Sequence, residues 1–462
     1  MTALFFDDHR LFGRDGLVRR YGVPRLLIAY TDGVSSTDLS GSWCFRLDDG
    51  TYRLLYMGQT EDGSLHLFSA IGTDGVHFAP EPLSLPHASY PHEIPMPFGP
   101  GCEVAAIYED TTFSEADYRY RMLFTRYSEC ELYVHDVIYH SPDLIHWTPD
   151  EGSWGDGAEP LASVFYNERT RRHTVMERPF WGVRRIGYKT TEDFKTFSEY
   201  RNCLLQDAQD EALAELYGIF AFAYEGMFVG TLHLYRALHA EYNSKFDGGI
   251  VDTQLAYSYD GEYWMRSLRT PFLSGLERTP PRLLTWVSGM SVTSDAIRLY
   301  STSSQYEHGK AFHTYGTGCV DVWELRKDGF VCLATEEGKC GSLITREQLW
   351  QGGEMSWNLK AKRATVAIYE TGTTTLSGDV NVIACSAPLA GYTHEECIPF
   401  SGDTTAWTPA WRSEKTLDDL RGKTLIVELR LEDGEVYALR GSFRELYNTE
   451  AARYRVLGVL PR

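Results

Sequence analysis

The sequence predicts an all-β chain, with a five-bladed β-propeller over residues 1–335 followed by a β-sandwich over 336–462. Three observations point there. A turn motif recurs five times, strand-length hydrophobic runs pair up ahead of each copy, and the pattern changes character after residue 335. Helical periodicity is nearly absent, and only 208–216 reads as two or three helical turns.

The motif is a turn Asp followed by an aromatic. It occurs at Asp74 with Phe78, Asp143 with Trp147, Asp193 with Phe197 and Asp260 with Trp264, and in degenerate form at Asp328 with Phe330. The Asp positions lie 69, 50, 67 and 68 residues apart, which sets one blade per period. Asp turns a chain by accepting hydrogen bonds from backbone N–H groups just ahead of it, and Gly tolerates positive φ. These Asp residues are therefore read as holding turns rather than as doing chemistry.

Ahead of each copy lies a hairpin. The clearest is Trp43–Tyr56, turning at Asp49-Gly50. The others join 104–108 to 120–124, 163–166 to 173–176, 219–222 to 227–233 and 290–292 to 296–302. Two hairpins per period make a four-stranded blade. Residues 336–342 read as a linker. Short strands then follow at 353–359, 364–369, 379–384, 424–431 and 437–443, with Asp433-Gly434 as the last hairpin turn.

Composition narrows the function. A formal charge of −20, spread along the chain, disfavours a nucleic-acid partner because phosphate backbones would be repelled. No apolar run approaches the roughly 18 to 20 residues that cross a bilayer, so no membrane partner is expected. The N-terminus lacks the pattern of a signal peptide. Nine scattered cysteines without a CxxC pair argue against zinc and against a disulfide framework, and the chain is expected to be cytoplasmic. Homo-oligomerisation is left open.

Propellers bind ligands at a mouth of the central channel, so acidic residues just ahead of each blade's inner strand are the ones to seek. They are Asp32 and Asp38 in blade one, Glu103 in blade two, Glu159 in blade three and Glu215 in blade four. Paired carboxyl groups flanking a scissile bond are what glycoside hydrolysis requires. The run Glu177–Arg185 adds Arg178, Trp181 and Arg185, a guanidinium and aromatic set suited to sugar hydroxyls and sugar faces. Tyr217 and His233 complete the expected binding residues. No metal spacing, P-loop or dinucleotide fingerprint is present, so no cofactor or metal is implied.

Several segments carry a family resemblance: Leu4–His9, Gly101–Tyr108, Ser163–Asn167, Trp181–Ile186, Glu215–Gly218 with Tyr224–Gly226, Gln254–Gly261 and Phe400–Thr405. With them the chain resembles the glycosyl-hydrolase propeller group of glycoside hydrolase families 32, 43 and 68, in a family-32-like branch. The resemblance implies a hydrolase of carbohydrate metabolism acting on a terminal glycosyl unit, fructosyl or arabinosyl. It places the nucleophile or base on Asp38, the orienting carboxylate on Glu103 and the general acid on Glu159. Glu103 stands where those families carry Asp, and their Asn-Asp-Pro-Asn, Arg-Asp-Pro and Glu-Cys signatures are missing. A non-catalytic carbohydrate-binding propeller and a glycoside phosphorylase using Arg178, Arg184 and Arg185 are the two alternatives.

Overall fold

The computed structural model describes residues 1–96, 102–113, 115–127, 134–156, 161–179, 183–237, 248–309, 315–370 and 387–446, with 450 and 457; for 37–40, 126–127, 134–135, 151 and 156 it describes the main chain only. The chain is all-β, and its residues form two compact units: Val23–Leu325, and Met1–Gly22 together with Arg326–Arg462.

Among the described residues the strands of the first unit form four sheets that make five successive antiparallel meanders, the last two joined in one sheet by a parallel bridge between Val251 and Leu284. Meander one runs through Ser36–Arg46, Tyr52–Gln59, Leu65–Gly72 and Ala79–Pro80. Meander two runs through Cys102–Glu109, Tyr120–Tyr127, Val134–Ser141 and Thr148–Asp156. The third takes Ser163–Asn167, Arg172–Glu177, Ile186–Thr191 and Arg201–Leu204. The fourth takes Ala214–Tyr224, Met227–Arg236 and Ile250–Ser258. The fifth takes Leu284–Val292, Ala296–Ser304 and Cys319–Arg326. Its outer edge is completed by Arg25–Tyr30 from the other end of the unit, in antiparallel register with Tyr30 opposite Val320. That closure joins residues some 290 positions apart, and no local pattern announces it.

The first strands touch in cyclic order: one against two, two against three, three against four, four against five, and five against one. Burial explains the ring, because each meander is apolar on both faces and must be covered twice. Trp43, Leu55 and Met57 of meander one meet Val104, Met122 and Phe124 of meander two. Tyr30, Val320 and Val322 of meander five meet Leu54, Tyr56 and Phe68 of meander one.

Four of the five motif copies build one turn. Asp74, Asp143, Asp193 and Asp260 each accept two backbone N–H groups at 2.8–2.9 Å on Oδ1, from the residues two and three ahead. The fifth copy differs. Asp328 belongs to the second unit, where its carboxylate binds the Asn358 amide at 2.8 Å and Arg440. Asp260→Ala is expected to lower stability by about 1–2 kcal/mol, because two backbone N–H donors lose the carboxylate that accepts from them. Urea melts check this, and an unchanged midpoint would remove the turn role.

In the second unit, ten strands form one hydrogen-bonded network around Ser356–Glu370 and Thr424–Arg440. Its core holds Trp350, Trp357, Leu359 and Leu429, all fully buried. The sequence reading divided the chain at 335/336; here Thr2–Leu4 pairs with Thr424–Arg440, Leu11–Asp15 with Cys340–Thr345, and Leu17–Tyr21 with Val331–Thr335. Two local expectations fail. Residues 208–216 form no helix, since 214 already begins a strand. Asp433-Gly434 is not a hairpin turn but a kink within Thr424–Arg440, with φ of 43° at Asp433. Gly434 is needed there, because a Cβ would lie 2.8 Å from Cβ of Ala361 on the facing strand. The expected strand at 379–384 lies outside the described residues.

Candidate functional site

The far ends of the five first strands converge on one cavity, reached by Phe45, Ile107, Tyr166, Phe220 and Met290. The beginnings of those strands therefore share the opposite mouth of the ring, and Glu103 and Glu215 start strands there. Glu103 is the second residue of Cys102–Glu109, Glu215 the second of Ala214–Tyr224, and Asp38 the third of Ser36–Arg46. Glu103 is half-buried, and the Glu215 side chain is 35% exposed, enough to meet a ligand. Glu159 and Trp181 lie outside the described residues, as does the side chain of Asp38.

Glu215 faces Arg184 in an ion pair. Beneath them Tyr217 organises a layered floor. The Arg178 guanidinium lies 4.4 Å from the Tyr217 ring centre on a side chain that is almost wholly buried, and Arg184 lies 5.3 Å from the same ring. Tyr217 also stacks on Trp286 at 5.8 Å, and its hydroxyl shares a 2.6 Å hydrogen bond with Nε2 of His308. A cation over an aromatic face is stabilised by the ring quadrupole, more so when water is excluded. The result is a rigid, positively charged floor behind an accessible carboxylate.

A second polar group sits between meanders two and three. Glu103, Thr125, Asp136 and Gly155 are aligned across the four strands of meander two, so the side chains of the first three share one face. Opposite them, Lys189 places its ammonium 3.0 Å from Glu177, and a Cβ added to Gly155 would strike that ammonium while lying 3.6 Å from Oδ2 of Asp136. Burial pushes the Glu177 carboxyl above the usual range, and Lys189 offsets only part of that push. The buried Glu177 carboxyl is therefore inclined to retain a proton despite its ammonium partner. Glu177 and Lys189 are the residues the sequence reading missed. Their signal was a charged residue ending the otherwise apolar run Thr174–Met176.

Other expected residues serve different ends. The Asp32 side chain is fully enclosed and accepts five hydrogen bonds: from Val34 N–H, Ser35 N–H, the Ser35 and Tyr56 hydroxyls, and His92. Burial opposes its ionisation, but His92 and the backbone donors outweigh that and hold the carboxyl well below the usual range. Arg185 bonds Asn202 at 2.8 Å and the Val183 carbonyl at 2.9 Å, within its own meander.

His233 is buried, and burial holds its pKa down to about 4 against the hydrogen bond to the Val287 carbonyl. A carbonyl only accepts, so Nε2 carries the proton and donates at 2.8 Å. The unfolded chain therefore takes up a proton on this group near pH 6.5 while the folded chain does not. The stability it confers is complete above pH 6.5 and is lost as pH falls toward 4. Stability is expected to drop by about 2 kcal/mol between pH 7 and pH 5 from this group alone. His233→Phe should flatten that part of the pH profile in urea melts. An equal slope in both proteins would show that His233 titrates normally.

No protein-family model matches the chain, and neither does any curated protein. Among solved structures, the chain is similar to an N-acetylgalactosamine deacetylase from F. plautii in complex with blood group B trisaccharide, at 13% identity over 68% of this chain and 97% of that one, with a TM-score of 0.45. It is similar also to a β-1,2-mannobiose phosphorylase from Listeria innocua, at 13% identity, 65% and 92% coverage and a TM-score of 0.43. A mannose phosphorylase from Leishmania mexicana in complex with a phosphate ion gives 13% identity, 66% and 88% coverage and a TM-score of 0.42.

Proposed function

We propose that the ring of meanders is a five-bladed β-propeller, that the second unit is a β-sandwich, and that the propeller cleaves the glycosidic bond of a terminal sugar. The observation that supports this reading is the recurrence of a carboxylate at or just before the start of successive first strands, with Glu103 and Glu215 at one mouth of the ring. Asp38, Glu103 and Glu215 occupy such starts, and Glu159 precedes the start of the third.

In this mechanism Glu159 gives its proton to the leaving oxygen as the bond to the anomeric carbon breaks. Asp38 attacks that carbon or takes a proton from the water that does. Glu103 orients sugar hydroxyls, with the Asp136, Glu177 and Lys189 group behind it. Glu215 and Arg184 offer an acceptor and a donor set to neighbouring hydroxyls. By analogy with the propeller group the proposed substrate is a chain end carrying a furanosyl unit such as fructosyl or arabinosyl.

A second reading has one specific observation in its favour. Arg178 and Arg184 both converge on the Tyr217 ring, and a pair of guanidinium groups suits an incoming phosphate in place of water. Sugar release from aryl glycosides and fructans, measured with and without inorganic phosphate, separates the two. Hydrolysis predicts free sugar at a rate indifferent to phosphate; a sugar phosphate made only when phosphate is present supports the second reading. Binding without any product reduces the chain to a carbohydrate-binding propeller.

A further inference from the structure

The second unit carries a cavity of its own, about 410 Å³ in volume and within the range of small-molecule sites. Strand register sets its floor. Along Thr424–Arg440, Val427, Leu429 and Leu431 point into the core, so Glu428, Arg430 and Glu432 point to the opposite face. Across the neighbouring strands Asp15, Ser342, Arg430 and Thr365 stand in one row, and Cys340, Glu432 and Arg363 in the next. His394 closes against the first row, its Nδ1 3.0 Å from the Thr365 hydroxyl.

Part of the charge on this face is already matched. Glu428 accepts from the Tyr369 hydroxyl at 2.5 Å and from Arg430 Nε at 2.9 Å, and His394 Nε2 lies 3.2 Å away. Glu432 pairs with Lys362 at 2.7 Å. The rest is not. Among the described residues the exposed Arg363 guanidinium makes no hydrogen bond or ion pair, and neither do the Asp15 carboxylate and the Ser342 hydroxyl. Arg430 engages only its Nε, which leaves its two terminal nitrogens available.

The cavity therefore holds two guanidinium forks at diagonally adjacent positions, with a carboxylate and a hydroxyl beside them. Such forks match the plane of a carboxylate. An ionised Asp can only accept, so Asp15 calls for donors such as ligand hydroxyl groups. Glu395 and Glu432 also line the space, and they repel a dianionic phosphate ester more than a single carboxylate. Leu431 turns its side chain to the core, so the lining offers no apolar surface to a hydrocarbon chain.

We infer that this cavity binds a small hydroxylated carboxylate of the sugar-acid class, its carboxylate on Arg363 and Arg430 and its hydroxyl groups on Asp15 and Ser342. The site goes beyond the proposed cleavage and does not depend on it, because every residue belongs to the second unit.

Cys340 lines the cavity and is exposed, which makes its thiol a reporter of occupancy. Galacturonate, glucuronate, galactose, glucose 6-phosphate and serine serve as probes of the full chain. Calorimetry is run beside iodoacetamide labelling of Cys340, read by peptide mass spectrometry. Wild type, Arg363→Ala, Asp15→Ala and Arg184→Ala in the first unit are compared, each confirmed as folded by thermal melts. The inference expects saturable binding of at least one uronate, with Cys340 protected from labelling. That binding should weaken about tenfold or more in Arg363→Ala and in Asp15→Ala, and persist in Arg184→Ala. Galactose should bind at least about tenfold more weakly than galacturonate. Galactose binding as tightly as galacturonate would overturn the carboxylate assignment, and so would tighter binding of glucose 6-phosphate or serine. Uronate binding that leaves Cys340 unprotected and is indifferent to Arg363→Ala would place the ligand elsewhere. Absence of saturable binding by every probe would overturn the site outright. Sugar release measured on the same proteins reports on the cleavage proposal separately.

Discussion

Asp32→Ala is expected to cost about 3–5 kcal/mol of stability, the range for removing one partner of a buried charged network. The carboxylate gathers donors from three places: the Val34–Ser35 turn, Tyr56 on the second strand of meander one, and His92 on the segment behind it. Its loss strands all of them out of water. Asp32→Asn keeps an oxygen for the two backbone N–H groups and should cost less than the alanine change. The group also contributes to pH dependence. Its carboxyl is depressed below 3.8, so its contribution is complete above that value and is lost as pH falls through the folded pKa. Denaturant melts of the two variants provide the check. If Asp32→Ala melts like wild type but binds sugar poorly, Asp32 is a ligand and not a structural anchor.

The second large effect is catalytic. Glu159→Gln and Asp38→Asn should each lower kcat/KM by about 10²–10⁴, the usual contribution of a positioned acid or base. Glu103→Gln, which alters orientation and not proton transfer, should fall short of both. An aryl leaving group of low basicity needs little protonation, so Glu159→Gln should retain more activity on such a substrate than on a natural glycoside. That contrast distinguishes an acid from a residue that only binds.

The all-β character was legible because its signals are local. Asx turns at Asp74, Asp143, Asp193 and Asp260 depend on a handful of adjacent residues, and so do the hairpins ahead of them. The long-range pairings were not legible. The chain start at Thr2–Leu4, and Arg25–Tyr30 completing meander five, find partners hundreds of residues away, through edges that no local pattern specifies. Asp433-Gly434 misled for the opposite reason. Its turn chemistry bends the chain, but pairing with Ser356–Glu370 continues on both sides and keeps it one strand. At the site, Arg178, Glu215 and Tyr217 stood out as charged or aromatic residues near strand starts, and they do share one floor. Trp286 and His308 reach the same floor from meander five, and only the closed ring brings them near. Asp32 and His233 show that an acidic or imidazole residue in the right segment is as readily an anchor as a ligand.

The most direct test of the carboxylate mouth is product release from a panel of aryl glycosides and fructans by wild type, Glu159→Gln and Asp38→Asn, each shown to be folded. The account predicts that wild type cleaves a terminal sugar and that both variants lose at least about a hundredfold. Cleavage that survives both substitutions at the wild-type rate would contradict it.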